Sequence, residues 1–384
     1  MNAIVNGRIL LPDRMVEGHA LLYTNKIVGV VPVEQIPADT VCIDAHGGYV
    51  AAGLIDLHIH GFGGIDVCCG DPDALRELDK LMLGNGVTGW LATTPTAGEA
   101  TLRRTFDACR RVMAEGGHAL LGVHAEGPYI NPAKAGAQDP AHITAPRPDF
   151  IKEYADVIKL LTLAPECDWD FAAIRRLKAD TDIILSMGHT DADYDTAKKA
   201  IDAGITHATH LFNAMSPLHH REPGAVGAAL SDHVSCELIA EFHHVHPALY
   251  DMVWRLKGRR LCLVTDCLSA AFADGNYGRL GDQIVRWQGG SRCFAGGRVE
   301  GGQLAGTALR LWEAVCNLLE RSSIPVWECF NCASLNPATV LGIADRKGSL
   351  EPGKDADIIV AGLYFRPTTV IFGGKPVICN GRIV

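Results

Sequence analysis

The chain has 384 residues, 48% of them apolar and 21% charged, and a formal net charge of −9. That length suffices for one large domain plus a small one around a sizeable core. The acidic balance argues against a general binder of nucleic acid or anionic membrane, and no run approaches the roughly 18 apolar residues of a spanning helix.

The opening MNAIVNGRILLPD lacks the basic-then-apolar order of a signal peptide, so the thirteen cysteines read as reduced core thiols of a cytoplasmic protein. Residues 1–50 read as short strands: AIVNGRILL, GHALLYTNKIVGVV and CIDAHGGYVAA. The closing residues 348–384 match them with KGSLEPGKDADIIVAG, PTTVIFGGKPVI and NGRIV, punctuated by the same Asn-Gly, Gly-Gly and Pro-Gly turns. The two ends are expected to pair into one small, discontinuous β-sandwich domain. Between them, over 51–347, eight strand candidates follow in order: GLIDLHIH, GVTGWLATT, LLGVHAEGPY, IKLLTLAPE, DIILSMGHT, ITHATHLFNAM, CELIAEFHH and RLCLVTDCL. Helix-like stretches such as DPDALRELDKLMLGNG, ATLRRTFDACRRVMAEGG and DYDTAKKAIDAG separate most of them. Eight strand–helix units at this spacing predict an α/β fold, a (β/α)8 TIM-type barrel. The single Cys-x-x-Cys, Cys329 to Cys332, has no second half and is not expected to hold zinc or a redox pair.

A barrel places its chemistry at the C-terminal ends of its strands. His58 and His60 close the first strand, two residues apart and therefore on one face. Two imidazoles that close can share a divalent cation, or each can sit in a core bonded to a carbonyl. His124 and Glu126 follow on the third strand, His189 on the fifth, His207 and His210 on the sixth, His243 and His244 on the seventh, and Asp266 on the eighth. Independent scatter would not put an imidazole or carboxylate at so many mouth ends. Imidazole nitrogens with one carboxylate and no thiolate suit Zn2+, with Fe2+ the alternative, better than Mg2+ or Ca2+. Asp266, ending the apolar LCLVTD and placed opposite the ligands, can take the proton of a metal-activated water and deliver it to a leaving group.

The same constellation resembles the amidohydrolase superfamily. Within it, HAEGPYINPAKAGAQ, MGHTDADYD, HATHLFNAMSPLHHREPG, LVTDCLSAA and NPATVLGIADRKGSLEPGKDADIIV resemble the N-acetylglucosamine-6-phosphate deacetylases. The resemblance implies metal ligation by Glu126, His189 and His210. It implies a second ion at His58 and His60 with Glu126 between the two, though one ion alone is compatible. Asp266 becomes the general acid/base. Asn213, Ala214, Arg221 and His244 match residues that hold the sugar phosphate, and the forked, permanently charged Arg221 suits a dianion. Leu304, Ala305 and Gly306 match a loop that closes on the substrate. One position departs: after Gly-Ala the family commonly has histidine, and here Ala137 is followed by Gln138, which can donate to an acyl oxygen but carries no charge. His219 and His220 are left unassigned.

The implied activity is metal-dependent removal of the acetyl group from a small-molecule amino-sugar phosphate, by a homodimer or higher homo-oligomer with no nucleic-acid or membrane partner. N-acetylglucosamine 6-phosphate is the expected substrate, and Gln138 keeps the galactosamine epimer open. The rival outside enzymes is a silent sugar-phosphate sensor on the same fold, which retention of Asp266 beside every metal position opposes.

Overall fold

The computed structural model describes residues 1–290, 292–295, 304–362, 365–379 and 382–383. Asn380, Gly381 and Val384 of the closing NGRIV segment lie outside the described residues. Eight parallel strands pair in chain order: β1 Leu54–Ile59, β2 Val87–Thr94, β3 Leu120–Glu126, β4 Ile158–Leu163, β5 Ile184–Met187, β6 His207–Ala208, β7 Ser235–Ile239 and β8 Leu261–Val264. The ends meet just past β8, where the Asp266 N–H donates to the His58 carbonyl at 2.9 Å and Ile59 bridges Cys267. Thr265 Oγ1 adds a bond to Asp56 Oδ2 at 2.7 Å. The result is a nearly closed (β/α)8 barrel with every predicted strand in it.

Two of the barrel helices begin on aspartate caps. Asp71 accepts from the Asp73 N–H at the head of Pro72–Gly84, and Asp193 from Thr196 at the head of Tyr194–Ala203, which Gly204 ends at φ 141°. Their buried faces carry Leu75, Leu78 and Met82 in the first and Ala197 and Ala200 in the second, the i, i+3, i+4 stripe that packs on a sheet. Residues on the outer faces of the strands, among them Leu57, Ile59, Val123, Leu161 and Leu263, are fully buried against those helices. The inward faces instead carry Asp56, His58, His124, Thr162, Ser186, His207 and Glu237, all buried. Such a polar barrel interior must be hydrogen-bonded throughout.

The small β unit draws on both chain ends. Tyr49–Ala52 pairs antiparallel with Ile358–Ala361, setting Ala51 opposite Ile359, in a seven-stranded sheet. A four-stranded sheet holding Asn2–Val5 and the His19–Tyr23/Ile27–Pro32 hairpin accompanies it, over a core of Ile4, Ile9, Leu21, Ile27, Val50, Ile358 and Ile371. AIVNGRILL is thus two strands rather than one. Asn6 takes φ 55°, and a Cβ on Gly7 would lie 2.5 Å from Val50, so the chain turns there and enters the other sheet. Through Gly53 the seven-stranded sheet leads directly into β1.

Between β8 and the helix Leu311–Arg321 an antiparallel sheet is inserted: Tyr277–Leu280, Gln283–Trp287, Arg292–Ala295 and Leu304–Thr307. Leu304, Ala305 and Gly306 therefore belong to a strand, and the expectation of a loop there is corrected. Among the described residues no helix is long and apolar enough to cross a membrane.

Candidate metal centre

Glu126, at the end of β3, is the hub of the site. Its Oε1 lies 2.9 Å from His210 Nε2, 3.0 Å from His189 Nε2 and 3.5 Å from His58 Nε2, and its Oε2 lies 3.3 Å from His60 Nε2. Asp266 Oδ1 sits 3.3 Å from His60 Nε2 and 3.6 Å from His58 Nε2. Asp266 thus stands beside the first-strand imidazoles, where the sequence pattern placed it opposite the ligands, because the end of β8 closes the barrel alongside β1. Two groups of three buried donors share this space: Glu126 with His189 and His210, and Asp266 with His58 and His60. His189, His210 and Asp266 hold left-handed backbone, φ 49°, 29° and 50°, which turns each side chain inward just past its strand. Backbone of that kind in non-glycine residues is strained, and strain of this sort collects at functional sites.

Hydrogen bonding on the far side of each ring decides what the near side offers. His58 Nδ1 is 2.9 Å from Glu237 Oε2, His60 Nδ1 is 3.1 Å from the Thr93 carbonyl, and His189 Nδ1 is 2.7 Å from the Lys134 carbonyl. Each Nδ1–H donates to its oxygen, leaving each neutral ring with a lone pair on Nε2. The Nε2 atoms converge: His58 and His60 Nε2 are 3.2 Å apart, and His189 Nε2 is 3.0 Å from that of His210, whose Nδ1 has no hydrogen-bond partner among the described residues. Lone pairs so placed around a carboxylate repel one another unless a cation lies between them. The residues fit a divalent ion. Buried imidazole and carboxylate donors gathered within 4.8 Å of one another are a donor set that divalent cations take.

The field points the same way. Burial opposes charge on His58, yet Glu237, Glu126 and Asp266 push its pKa up to about 9. Burial likewise opposes charge on His60, and Asp266 and Glu126 push it up to about 10. Burial disfavours the Glu126 anion, but His58, His189 and His210 hold it well below the usual carboxylate range. Asp266, again against burial, is held low by His60 and His58, so it is ionised and ready to accept a proton. Without an ion, the His58 and His60 protons favour the folded chain fully below pH 6.5, and that contribution is lost as pH rises through 9 to 10. An ion replaces those protons. The Tm difference between metal-loaded and metal-stripped protein should therefore widen from pH 6.5 upward in calorimetry. A constant difference would mean that the stripped site carries no such protons.

A cavity of about 250 Å3 opens on this centre, lined by His60, Glu126, His189, His210 and Asp266, and by Ala137, Gln138, Asn213, Ala214, His244, Leu304, Ala305 and Gly306. His58 lies buried just beneath. A Cβ on Gly306 would come within 2.7 Å of the Asp266 carbonyl, so only glycine lets that strand lie against the acid. His244 Nδ1 is fixed on Glu241 Oε1 at 2.7 Å. Gln138 is engaged at both ends: Oε1 accepts from the Thr96 N–H at 2.7 Å and Nε2 donates to Glu126 Oε2 at 2.7 Å. A larger cavity, about 1160 Å3 and lined by Arg8, Tyr49 and Arg366 among others, contains none of these donors, so size does not locate the chemistry.

Other residues stand apart. Arg221 is exposed and bonded to His220 Nε2 at 2.6 Å, and it is not among the residues lining the cavity. His124, grouped with the mouth by its place on the third strand, is an interior histidine: Nδ1 donates to the Leu57 carbonyl at 2.9 Å and Nε2 meets Thr162 Oγ1 at 2.7 Å. Burial and His58 lower its pKa to about 3. His207 is likewise interior, 2.6 Å from Ser235 Oγ. Sequence reasoning missed Lys134, the one ammonium among the described lining residues, and Glu237 behind His58. An acid inside the apolar CELI was the available signal for the second.

The amidohydrolase family model matches residues 49–384. The chain is 38% identical over 338 residues to the N-acetylglucosamine-6-phosphate deacetylase of Bacillus subtilis, spanning 85% of this chain and 82% of that one. It is 34% identical over 362 residues to the N-acetylgalactosamine-6-phosphate deacetylase of Escherichia coli, spanning 92% and 93%. A crystal structure of N-acetylglucosamine-6-phosphate deacetylase from Pasteurella multocida superposes with TM-score 0.91 at 31% identity, over 98% of this chain and 99% of that one.

Proposed function

The chain belongs to the amidohydrolase family, and from that premise we propose that it hydrolyses the N-acetyl group of N-acetyl-D-glucosamine 6-phosphate to D-glucosamine 6-phosphate and acetate. The observation that carries this is the convergence of four imidazole Nε2 atoms on the Glu126 carboxylate, with Asp266 beside them at a cavity of sugar size. Glu126, His189 and His210 would hold one ion, Zn2+ in the first instance and Fe2+ as the alternative. His58 and His60 would hold a second, with Glu126 between. When bound, such an ion supplies Lewis acidity, lowering the pKa of a water towards ~7 and polarising the amide carbonyl.

Asp266 moves the proton. Its carboxylate accepts it as the water oxygen bonds to the acyl carbon, then delivers it to nitrogen as the C–N bond breaks. Protonation makes the amine the better leaving group; without it, expulsion of the incoming oxygen would win. Gln138 Nε2 is 2.7 Å from Glu126 Oε2 and 3.2 Å from His189 Nε2; with the His189 lone pair taken by an ion, its second N–H would be released for the acyl oxygen. Leu304, Ala305 and Gly306 wall the cavity and keep water from the acyl group. Asn213, the Ala214 backbone and His244 would face the phosphate, with charge from Lys134 and from Arg221, whose guanidinium has no carboxylate partner among the described residues.

Thirteen free thiols, most of them buried, suit the reducing cytoplasm, and we place the protein there; as in the family it resembles, we expect a homodimer or higher homo-oligomer. The galactosamine epimer is the second reading, favoured by the similarity to the E. coli enzyme. Acetate release from N-acetylglucosamine and N-acetylgalactosamine, each with and without the 6-phosphate, tests both. No release from any of the four would sink the reading. Arg221→Ala should lower kcat/KM about 10- to 150-fold on the phosphorylated sugar and little on the unphosphorylated one, as a charge-assisted contact would. Equal losses on both would assign Arg221 to its loop. No loss on either would leave the dianion to Lys134 and His244.

A further inference from the structure

The interior of the barrel contains a carboxylate that the proposed chemistry does not use. Glu237, on β7, is fully buried among imidazoles. Its Oε2 accepts from His58 Nδ1 at 2.9 Å and from the His210 backbone N–H at 3.0 Å. Its Oε1 lies 3.4 Å from His207 Nε2 and 3.9 Å from His124 Nδ1. One oxygen thus touches a residue from each of the two donor groups around Glu126.

Glu237, His58 and His124 are close enough to be read as a further metal site. Hydrogen bonding rejects that reading. His124 Nδ1 is spent on the Leu57 carbonyl and its Nε2 faces Thr162, so it has no lone pair directed at Glu237. His58 cannot donate from Nδ1 to Glu237 and ligate from the same atom.

We infer, resting on the metal reading above, that Glu237 is a positioning residue: it fixes His58 in the Nδ1–H tautomer with Nε2 aimed at the metal centre, and ties that ring to the turn carrying His210. A neutral imidazole free to flip or change tautomer would present N–H to the ion half the time. A carboxylate behind the ring removes that choice and makes Nε2 a better donor. The shared oxygen also sets the spacing of the two donor groups, because the His210 turn, at φ 29°, is held by that same atom.

The test uses the full-length protein, stripped of metal and titrated with Co2+ against a chelator, reading affinity, Co2+ per chain and the visible d–d absorption. Glu237→Gln preserves volume, and calorimetry checks that it keeps the fold. It should weaken by 10- to 100-fold the Co2+ that His58→Ala also loses, and shift the absorption band. In the His58→Ala background, adding Glu237→Gln should have no further effect on that ion, because the ligand it serves is gone. Glu237→Asp withdraws the carboxylate by one methylene and should weaken the same ion, which covers the case that the glutamine variant does not fold. Wild-type affinity and spectrum in either variant, or a full additive loss on top of His58→Ala, overturns the inference while leaving the metal reading intact. A parent protein that binds no Co2+ overturns both.

Discussion

Asp266→Asn should bind metal and substrate as the parent does and lose turnover by 10²–10⁴-fold, the usual contribution of a general acid–base group. The amide is nearly isosteric and can still meet His60, 3.3 Å away, but it cannot take a proton from water and return it to nitrogen. The loss should fall on kcat, with KM within a few-fold, because the group acts on the reacting atoms rather than on the sugar. Metal content measured on the same preparation gives the result its meaning. A variant within a few-fold of parental kcat ends the assignment. A variant that loses metal along with turnover makes Asp266 a ligand, which its position beside His58 and His60 would then explain.

Glu126→Ala should be the more damaging change. It removes the one anion within 3.5 Å of four imidazole nitrogens and the group that both candidate ions would share. Both ions, and all measurable acetate release, are expected to go. His58→Ala should remove at most one ion, since His189 and His210 keep their contacts with Glu126. Metal counting on the pair decides the stoichiometry: one ion in the parent and one in His58→Ala would refute the two-ion arrangement. Glu126→Ala with full metal content would refute the centre itself.

Much of this was legible along the chain. The barrel strands stood out because each is a short apolar run ending in polar residues, and because helix-like stretches separate most of them. Period-two geometry alone put His58 and His60 on one face. The inserted sheet over 277–307 was missed. Its first two strands are half exposed and mix charge with aromatics, so no alternation marks them. Arg221, in a motif specific enough to suggest a phosphate clamp, is exposed, bonded to His220 and absent from the lining of the cavity.

The sequence by itself determined the donor types, the strand on which each rides and hence the end of the barrel where they gather. Only the tertiary structure decided which of them meet. His124 precedes Glu126 by two residues and faces the same way, yet lies roughly 7 Å deeper along the strand, where Leu57 and Thr162 satisfy it. His207 is likewise held below the site by Ser235, while His210, turned by its left-handed backbone, reaches Glu126. Glu237 stands out as an acid in an apolar strand, but its partner His58 is set only when the barrel brings β7 and β1 together. Depth and cross-barrel partners are set by the stagger of eight strands closing on one another. That stagger is a property of the whole sheet, and no local stretch of sequence contains it.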